Sequence, residues 1–385
     1  MCRAFLGALV AALIVVPAAS ASKHMLVGIN DEADTLYGNP DVTFPILRRL
    51  RVQVLRVNLY WGGRFGVALE RPQNPTNPRD PAYDWTLYDR TVNYASQYGI
   101  KMLFSIYGTP GWANKHRGLN HAPTRFRDLQ RFAAAAARRY SGTFRGLDGR
   151  RLPRVRMWLA WNEPNNPIFL FPQYRRVRGR WVIQSARNYA QICNAVYAGI
   201  HGTRIKGERV GCGVTGPRGN DLPGSFRASV SPLVFLRACK KFGLRRFDVY
   251  AHHPYYGSKR ESPTTKPRGH AVTLGNIGAL LRLIKRLYGP KHLWITEYGY
   301  QTNPPDRVFG VSRAKQAVYL REAFARARKS PRIDMMLWFL LRDEPNIASG
   351  WQSGFFDVRG RRKPSYNAFR AVAARAAAAR AKRPH

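Results

Sequence analysis

The sequence contains few cysteines and no common metal-binding motif. None of its four cysteines stands in a Cys-x-x-Cys pair, which argues against a structural zinc site. A phosphate-binding loop and His-Glu-x-x-His are both absent, so we expect no cofactor and no metal. Neither a glycine period nor a heptad period occurs, which argues against collagen-like and coiled-coil proteins.

Acidic residues are also scarce. The 385 residues include 22 Asp and Glu against 64 Lys and Arg, a formal net charge of +42. Such a charge makes nucleic acids, anionic membranes and acidic polymers candidate partners. The basic residues are spread along nearly every segment, however, whereas a dedicated nucleic-acid binder more often clusters them. We therefore expect a general surface excess and no specific nucleic acid, with a specific polyanion as the alternative.

Long apolar runs are absent except at the start of the chain. Arg3 precedes an apolar stretch from Leu6 to Val16, and Ala19-Ser20-Ala21 fits a signal-peptidase site. This pattern predicts a secretory signal peptide over 1–21 and a secreted protein without a membrane span after cleavage. An uncleaved N-terminal anchor is the alternative, since the two cases differ only in processing.

Removal of this segment takes Cys2 with it. The three remaining cysteines allow at most one internal disulfide, and their spacing does not say which two pair: Cys193, Cys212 and Cys239.

Apolar strand-like runs alternate with helical stretches from residue 24 onward. The predicted strands are 24–30, 53–60, 101–107, 155–162, 209–215, 246–252, 292–298 and 334–341. The predicted helices are 44–51, 84–98, 125–140, 185–201, 231–242, 273–288, 312–329 and 365–381. Eight of each in alternation predict an α/β fold with a single (β/α)8 TIM barrel over 22–370. Residues 371–385 are rich in Ala and Arg and are expected to form a helix end and a tail.

The longest loops all follow strands, and they belong to the C-terminal face where such barrels carry their chemistry. They are 62–83, 164–184, 216–230, 255–272 and 299–311.

Two glutamates stand at strand ends that face each other across this barrel. Glu163 follows the fourth strand in Trp-Asn-Glu-Pro, and Glu297 follows the seventh in Ile-Thr-Glu-Tyr-Gly. Two carboxylates that flank a substrate are the arrangement needed for glycosidic bond cleavage. Each glutamate could instead pair with one of the many arginines, but their matching positions favour a shared site.

These motifs resemble those of the clan A glycoside hydrolases, which are barrel enzymes with catalytic glutamates on strands four and seven. Asn162-Glu163-Pro is similar to the clan's acid/base motif, and Thr296-Glu297-Tyr-Gly to its nucleophile motif. Tyr107-Gly-Thr-Pro-Gly-Trp112 is closer to family 39 and related endo-acting members than to the family 5 cellulases. The resemblance extends through the strand order from residue 24 to about 370.

The resemblance implies further roles. Arg56 would hold Glu297 ionised, and Asn162 would donate to the sugar 2-hydroxyl. His253 would order the acid/base side, and Tyr255 would donate to Glu297. The resemblance also implies Trp338 as the floor beneath the reacting sugar. Four more aromatic residues are candidates for further subsites, with ordinary loop packing as the alternative: Trp61, Trp112, Tyr300 and Trp351.

One departure from the family pattern concerns strand three. Ser105 and Tyr107 stand where many family 5 members have a histidine, so the contacts to the reacting sugar and the type of sugar stay open.

The sequence therefore predicts a secreted retaining glycosidase that acts on O-glycosidic bonds of a β-linked poly- or oligosaccharide. Glu163 would be the acid/base and Glu297 the nucleophile. An acidic exopolysaccharide is a candidate partner, given the basic surface. A non-catalytic carbohydrate- or polyanion-binding barrel is the alternative, and a transglycosidase would use the same residues. The sugar, the linkage, the mode of cleavage and the oligomeric state stay open.

Overall fold

A computed structural model describes residues 22, 24–146, 148–348 and 350–381. The predicted signal peptide at 1–21 and the last four residues of the predicted tail lie outside the described residues. Signal cleavage therefore stays a prediction. Within the described part of the chain, no helix has both the length and the apolar character needed to cross a membrane.

Eight parallel strands close into a barrel, as predicted. The barrel strands are β1 (Leu26–Asn30), β2 (Val54–Tyr60), β3 (Lys101–Tyr107), β4 (Met157–Ala160), β7 (Arg209–Thr215), β8 (Val249–His252), β9 (His292–Ile295) and β10 (Ile333–Phe339). They follow one another around the barrel in chain order, and β10 pairs with β1 to close it. The (β/α)8 fold class is confirmed.

Helices alternate with these strands and cover the barrel. They are α1 (Pro40–Arg49), α2 (Thr86–Gln97), α4 (Phe126–Arg139), α5 (Gln184–Gly202), α6 (Pro232–Lys241), α7 (Ile277–Tyr288), α8 (Arg313–Arg328) and α9 (Pro364–Ala381). Helix α1 begins four residues before the predicted start because the Asn39 side chain caps it and Pro40 occupies its first position.

Two small elements were not predicted. A short helix, α3 (Gly111–Asn114), follows the third barrel strand. A two-stranded antiparallel hairpin, β5 (Arg175–Val177) and β6 (Arg180–Val182), lies in the predicted loop 164–184. Both lie in the loops that follow barrel strands, on the side of the fold that carries chemistry in such barrels.

Alternation of side chains along each strand separates two apolar layers. Val54, Leu103, Leu159 and Leu337 belong to a small cluster inside the barrel. Residues of opposite parity, such as Leu55 and Met336, belong to the larger layer between strands and helices. Successive strand side chains point to opposite faces, so parity decides which residues continue from the barrel interior into its mouth.

The open question of the cysteines is answered by a disulfide between Cys193 and Cys212. It joins α5 to β7, across the layer that covers the barrel. Of the cysteines that the structure describes, Cys239 is free and buried.

Candidate active site

A cleft of about 660 Å³ opens at the C-terminal ends of the barrel strands, and both predicted catalytic glutamates line it. Glu163 follows β4 and Glu297 follows β9, so the barrel brings together two residues that are remote in sequence. Asn162 and Tyr255 also line this cleft. The location agrees with the general rule that barrel enzymes carry their sites at this face.

Glu297 is held by a buried arginine. Arg56 lies on the interior face of β2, and its Nη1 donates to Glu297 Oε1 at 2.5 Å while its Nη2 donates to Asn162 Oδ1 at 2.7 Å. The Tyr255 hydroxyl donates to Glu297 Oε2 at 3.2 Å. A guanidinium and a hydroxyl that both donate to a carboxylate favour its ionised form. Arg56 and Tyr255 contact Glu297 and Asn162 contacts Arg56, whereas the predicted donation from Asn162 to a sugar hydroxyl stays a prediction.

Glu163 is placed in a different environment. Its Oε1 lies 3.0 Å from His253 Nδ1, and its Oε2 accepts from Asn166 Nδ2 at 3.2 Å. Burial raises the pKa of Glu163 from its usual 4.5 to about 7, against the smaller lowering effects of Asn166 and Arg56. Glu163 therefore keeps a proton up to about neutral pH, which suits a general acid.

The backbone at Glu163 is strained. Its φ is +33°, a value that side-chain-bearing residues rarely adopt. Gly216 leaves the space for its carboxyl group, since a Cβ at that position would lie 2.9 Å from Glu163 Oε2. Strain of this kind often occurs at functional sites, because the surrounding structure must hold the residue in place.

His253 connects the two carboxylates. Arg56 Nη1 lies 3.3 Å from His253 Nε2, and an arginine can only donate, so Nε2 accepts. Burial lowers the pKa of His253 to about 3, and the ring is therefore neutral with its proton on Nδ1. This Nδ1–H donates to Glu163 Oε1, which fixes the orientation of that carboxyl group.

The two carboxyl groups are close together. One carboxylate oxygen of each glutamate and one ring nitrogen of His253 all lie within 4.8 Å of one another. Separations of about 5–5.5 Å are typical of retaining glycosidases, whereas inverting enzymes need about 6.5–9.5 Å. The spacing therefore fits an attack by one carboxylate on the sugar, without room for a water between them.

The same three residues have the spacing of a metal site, but their contacts fit a hydrogen-bonded set better. The guanidinium of Arg56 already occupies the cation position beside Glu297 Oε1. His253 Nδ1 carries the proton donated to Glu163, so that nitrogen is not a free metal ligand.

Trp338 was predicted as the floor of the site, and that prediction is wrong. Its side chain is fully buried, donates from Nε1 to Ser353 O and stacks near Phe355 in the layer beneath the helices. The following residue, Phe339, has the parity of Leu337 and lines the cleft instead. An all-apolar strand gives no sign of which parity faces inward, and the one-residue error follows from that.

Three further aromatic predictions are also corrected. Trp61 is fully buried and packs edge-on against Trp112, and Trp112 lines a separate small pocket away from the two glutamates. Tyr300 is buried behind the cleft wall, where its ring stacks 4.0 Å from that of Tyr256. Trp351 does line the cleft, with its ring 5.0 Å from that of Tyr255.

Several residues of the site were not found from the sequence. Glu32 and Asn58 line the cleft beside Glu297, and Asn166 and Gly216 shape the position of Glu163. Strand parity could have found Asn58, since it stands two residues after Arg56 on the same face of β2. Glu32 lies two residues after the end of β1 and could have been found by the strand-end rule that found Glu163.

Comparisons with known proteins bear on the fold. No protein-family model matches the chain, and no curated protein sequence is similar to it. A glucosidase from Croceicoccus marinus shares 14% identity at a TM-score of 0.64, over 92% of this chain and 68% of that one. A family 39 glycoside hydrolase from Bacteroides cellulosilyticus WH2 shares 19% identity at a TM-score of 0.60, over 91% of this chain and 64% of that one.

A family 1 β-glucosidase from Thermotoga maritima is similar over its whole length. It shares 15% identity at a TM-score of 0.58, over 92% of this chain and 98% of that one. The present chain spans about two thirds of the length of the first two proteins. It has the barrel fold of these glycoside hydrolases, as the resemblance of its motifs implied.

Proposed function

We propose that this protein is a retaining glycoside hydrolase that cleaves β-linked poly- or oligosaccharides, with Glu297 as nucleophile and Glu163 as acid/base. One observation carries the proposal: two carboxyl groups in different environments, with oxygens within 4.8 Å, share one cleft. Arg56 and Tyr255 favour the ionised form of one, and burial keeps a proton on the other. The structural neighbours, a glucosidase and a family 39 glycoside hydrolase, support the same reaction class.

In the first step, an oxygen of Glu297 attacks the anomeric carbon while Glu163 donates its proton to the departing glycosidic oxygen. The bond to the leaving group breaks and an ester to Glu297 forms, so charge and protons balance. Arg56 and Tyr255 direct the Glu297 oxygens through their hydrogen bonds. Transfer of the Glu163 proton leaves a carboxylate that still accepts from His253 and Asn166.

In the second step, the same carboxylate of Glu163 takes a proton from water, and the hydroxide attacks the anomeric carbon. The ester breaks, Glu297 returns to its ionised form, and the sugar leaves with its original configuration. The neutral His253 holds Glu163 in one orientation through both steps, because its low pKa keeps it from exchanging the proton itself.

The direct test uses two variants, Glu297→Ala and Glu163→Ala, on a panel of aryl β-glycosides and β-linked oligosaccharides. We expect losses of about 10⁴-fold or more in kcat for Glu297→Ala. Added azide should then give an α-glycosyl azide with Glu297→Ala and a β-glycosyl azide with Glu163→Ala, because it replaces the nucleophile in one and the activated water in the other. Glu208→Gln is the matched control, a buried glutamate that accepts from Trp158 Nε1 away from the cleft.

Two outcomes contradict the proposal. Full activity in either alanine variant removes the assigned roles. Sugar binding without turnover on the whole panel would favour the alternative of a non-catalytic carbohydrate-binding barrel.

Secretion and an acidic exopolysaccharide as partner are parts of the same proposal. The disulfide between Cys193 and Cys212 supports an oxidising compartment, because such bonds persist mainly outside the cytosol. The net charge of +42 supports attraction to an acidic polymer. N-terminal sequencing of the protein recovered from the culture medium tests cleavage after Ala21, and intact Met1 on cell-bound protein would contradict it.

A further inference from the structure

The cleft differs in charge from the rest of the protein. Five of the chain's 22 acidic residues line it: Asp31, Glu32, Glu163, Glu297 and Glu344. Among the described residues that line the cleft, Arg218 is the only Lys or Arg, and its Nη2 is paired with Glu261 Oε2 at 3.0 Å. Arg56 lies beneath the cleft and is engaged by Glu297 and Asn162. A carboxylate on the substrate would therefore find no uncommitted cation there.

Glu32 is one of three acidic residues of the cleft that the reaction steps leave unused, the others being Asp31 and Glu344. Glu32 lies two residues after the end of β1, and its pKa is raised by burial and, to a smaller degree, by the nearby negative charge of Glu297. The Asn58 backbone N–H donates to its Oε1 at 2.8 Å, and the Tyr60 hydroxyl donates to its Oε2 at 3.1 Å. Two donated hydrogen bonds favour the carboxylate form and hold it in one orientation.

These two contacts leave acceptor capacity on Glu32. A carboxylate has about four lone-pair sites, of which the protein uses two, so about two remain for a ligand in the cleft. The side chain of Asn58 lines the same wall, and its buried Oδ1 has no hydrogen-bond partner among the described residues. A buried acceptor without a donor costs free energy until a ligand or a water supplies one. The wall beside Glu297 thus presents acceptors that need donors.

We propose that Glu32 is a specificity-determining residue: its carboxylate, together with Asn58 Oδ1, accepts hydrogen bonds from hydroxyl groups of an uncharged sugar unit bound over Glu297. The same acceptors disfavour a unit that carries a carboxylate there. This inference rests on the proposed function and narrows its substrate class. If the substrate is a polysaccharide with both kinds of unit, its acidic units bind the basic exterior and a neutral unit occupies the position over Glu297.

The physical reason is a match of donors to acceptors. A sugar hydroxyl donates to a fixed carboxylate in a charge-assisted hydrogen bond. A uronate offers only acceptors on its carboxylate, so it would meet Glu32 and Asn58 without a proton between them, and like charges repel in a partly buried site. Sites built to hydrogen-bond a hydroxyl discriminate strongly against ligands that lack it, since their buried polar groups are then left unpaired.

The experiment compares the full-length protein with Glu32→Gln on paired substrates. Each neutral aryl β-glycoside or β-linked oligosaccharide is matched with its counterpart oxidised at C6 to the carboxylate, and kcat/KM is measured for both. The ratio within a pair does not depend on the fraction of folded protein, so partial misfolding of the variant cannot imitate the effect. Glu208→Gln again serves as the control, and monodeoxy analogues of the best neutral substrate identify the hydroxyl that Glu32 accepts.

We expect the unaltered protein to prefer the neutral member by about 100-fold or more. Glu32→Gln should narrow this ratio at least tenfold by lowering kcat/KM on the neutral member. One deoxy analogue should have a lower kcat/KM than its parent substrate in the unaltered protein, but a similar kcat/KM in the variant. Equal or faster cleavage of the carboxylated members, or an unchanged ratio in Glu32→Gln, overturns the inference and leaves the proposed function intact. Cleavage of no member at all would instead count against the proposed function.

Discussion

The cleft and the exterior of this protein have opposite charge. Lys and Arg outnumber Asp and Glu by 64 to 22 in the whole chain, and arginines lie on nearly every helix around the barrel. Inside the cleft, five acidic side chains stand beside one paired arginine. The net charge of the chain therefore determines which molecules the surface attracts from a distance. The electrostatics of the cleft instead depend on short-range contacts among Glu163, Glu297 and Arg56.

The two regions also differ in how charge is screened. Exposed cations interact through water and salt, so their effects fade beyond about 8 Å at physiological ionic strength. The ion pair of Arg56 and Glu297 is nearly closed to solvent, with side chains 1% and 14% exposed. Changes inside the cleft should therefore alter the chemistry, and changes outside should alter only encounter and binding to polymers.

After loss of the proposed nucleophile, the largest effect should come from removal of the proposed acid in the cleft. Glu163→Gln removes the group with a pKa of about 7, and we expect a loss of about 10²–10⁴-fold in kcat/KM on substrates with poor leaving groups. Because the protonated form is the active one, kcat/KM of the unaltered protein should fall as pH rises above about 7. In Glu163→Gln, kcat/KM should no longer fall above pH 7. A dinitrophenyl glycoside allows this measurement, because its leaving group departs without an acid and the variant can still cleave it.

Glu322→Gln is the matched change on the exposed exterior of α8. It should leave both the rate and the pH profile as they are. An alkaline limb near pH 7 that persists in Glu163→Gln would assign the acid to another group.

A smaller effect should come from the space around Glu163. A Cβ in Gly216→Ala would lie 2.9 Å from Glu163 Oε2, so the carboxyl group must shift, and we expect about a tenfold loss in kcat with little change in KM. Gly202→Ala on the exterior meets nothing within 4 Å and should leave kcat unchanged. Steady-state kinetics with a thermal melt of both variants measures this, and equal kcat values in the two would show that Gly216 has no positioning role.

The smallest effect in the cleft should come from salt. Between about 50 mM and 500 mM NaCl, kcat/KM on an uncharged aryl glycoside should change less than about twofold, because the charges that act on it are buried. Over the same range, binding to an anionic polysaccharide column should be lost, since the exterior cations are screened. A steep salt dependence of kcat/KM on the uncharged substrate would contradict the claim that the charges of the cleft are shielded from salt while those of the exterior are not.

Most of the barrel and the two glutamates could be predicted because they depend on local signals. Each barrel strand is a short apolar run, and a glutamate stands within three residues of the end of β4 and of β9. The ranges of β3 and β7 agree with the prediction to the residue. Strand order then places Glu163 and Glu297 at one mouth without any knowledge of side-chain contacts.

The aromatic residues could not be assigned in this way. Trp338 and Phe339 are adjacent, and only the register of β10 in the closed barrel decides that residues 335, 337 and 339 face inward. Trp61 follows the outward parity of β2. A strand that is apolar on both faces carries no alternation to read, so parity becomes known only when the barrel closes.

Trapping of a covalent sugar on Glu297 tests the central claim most directly. A 2-deoxy-2-fluoro β-glycoside with a good leaving group forms the ester quickly and hydrolyses it slowly, so the adduct accumulates for mass spectrometry. The account predicts one added glycosyl group per chain, mapped to the peptide that contains Glu297, and its absence in Glu297→Ala. An adduct on another residue, or a product of inverted configuration with no adduct, would contradict it.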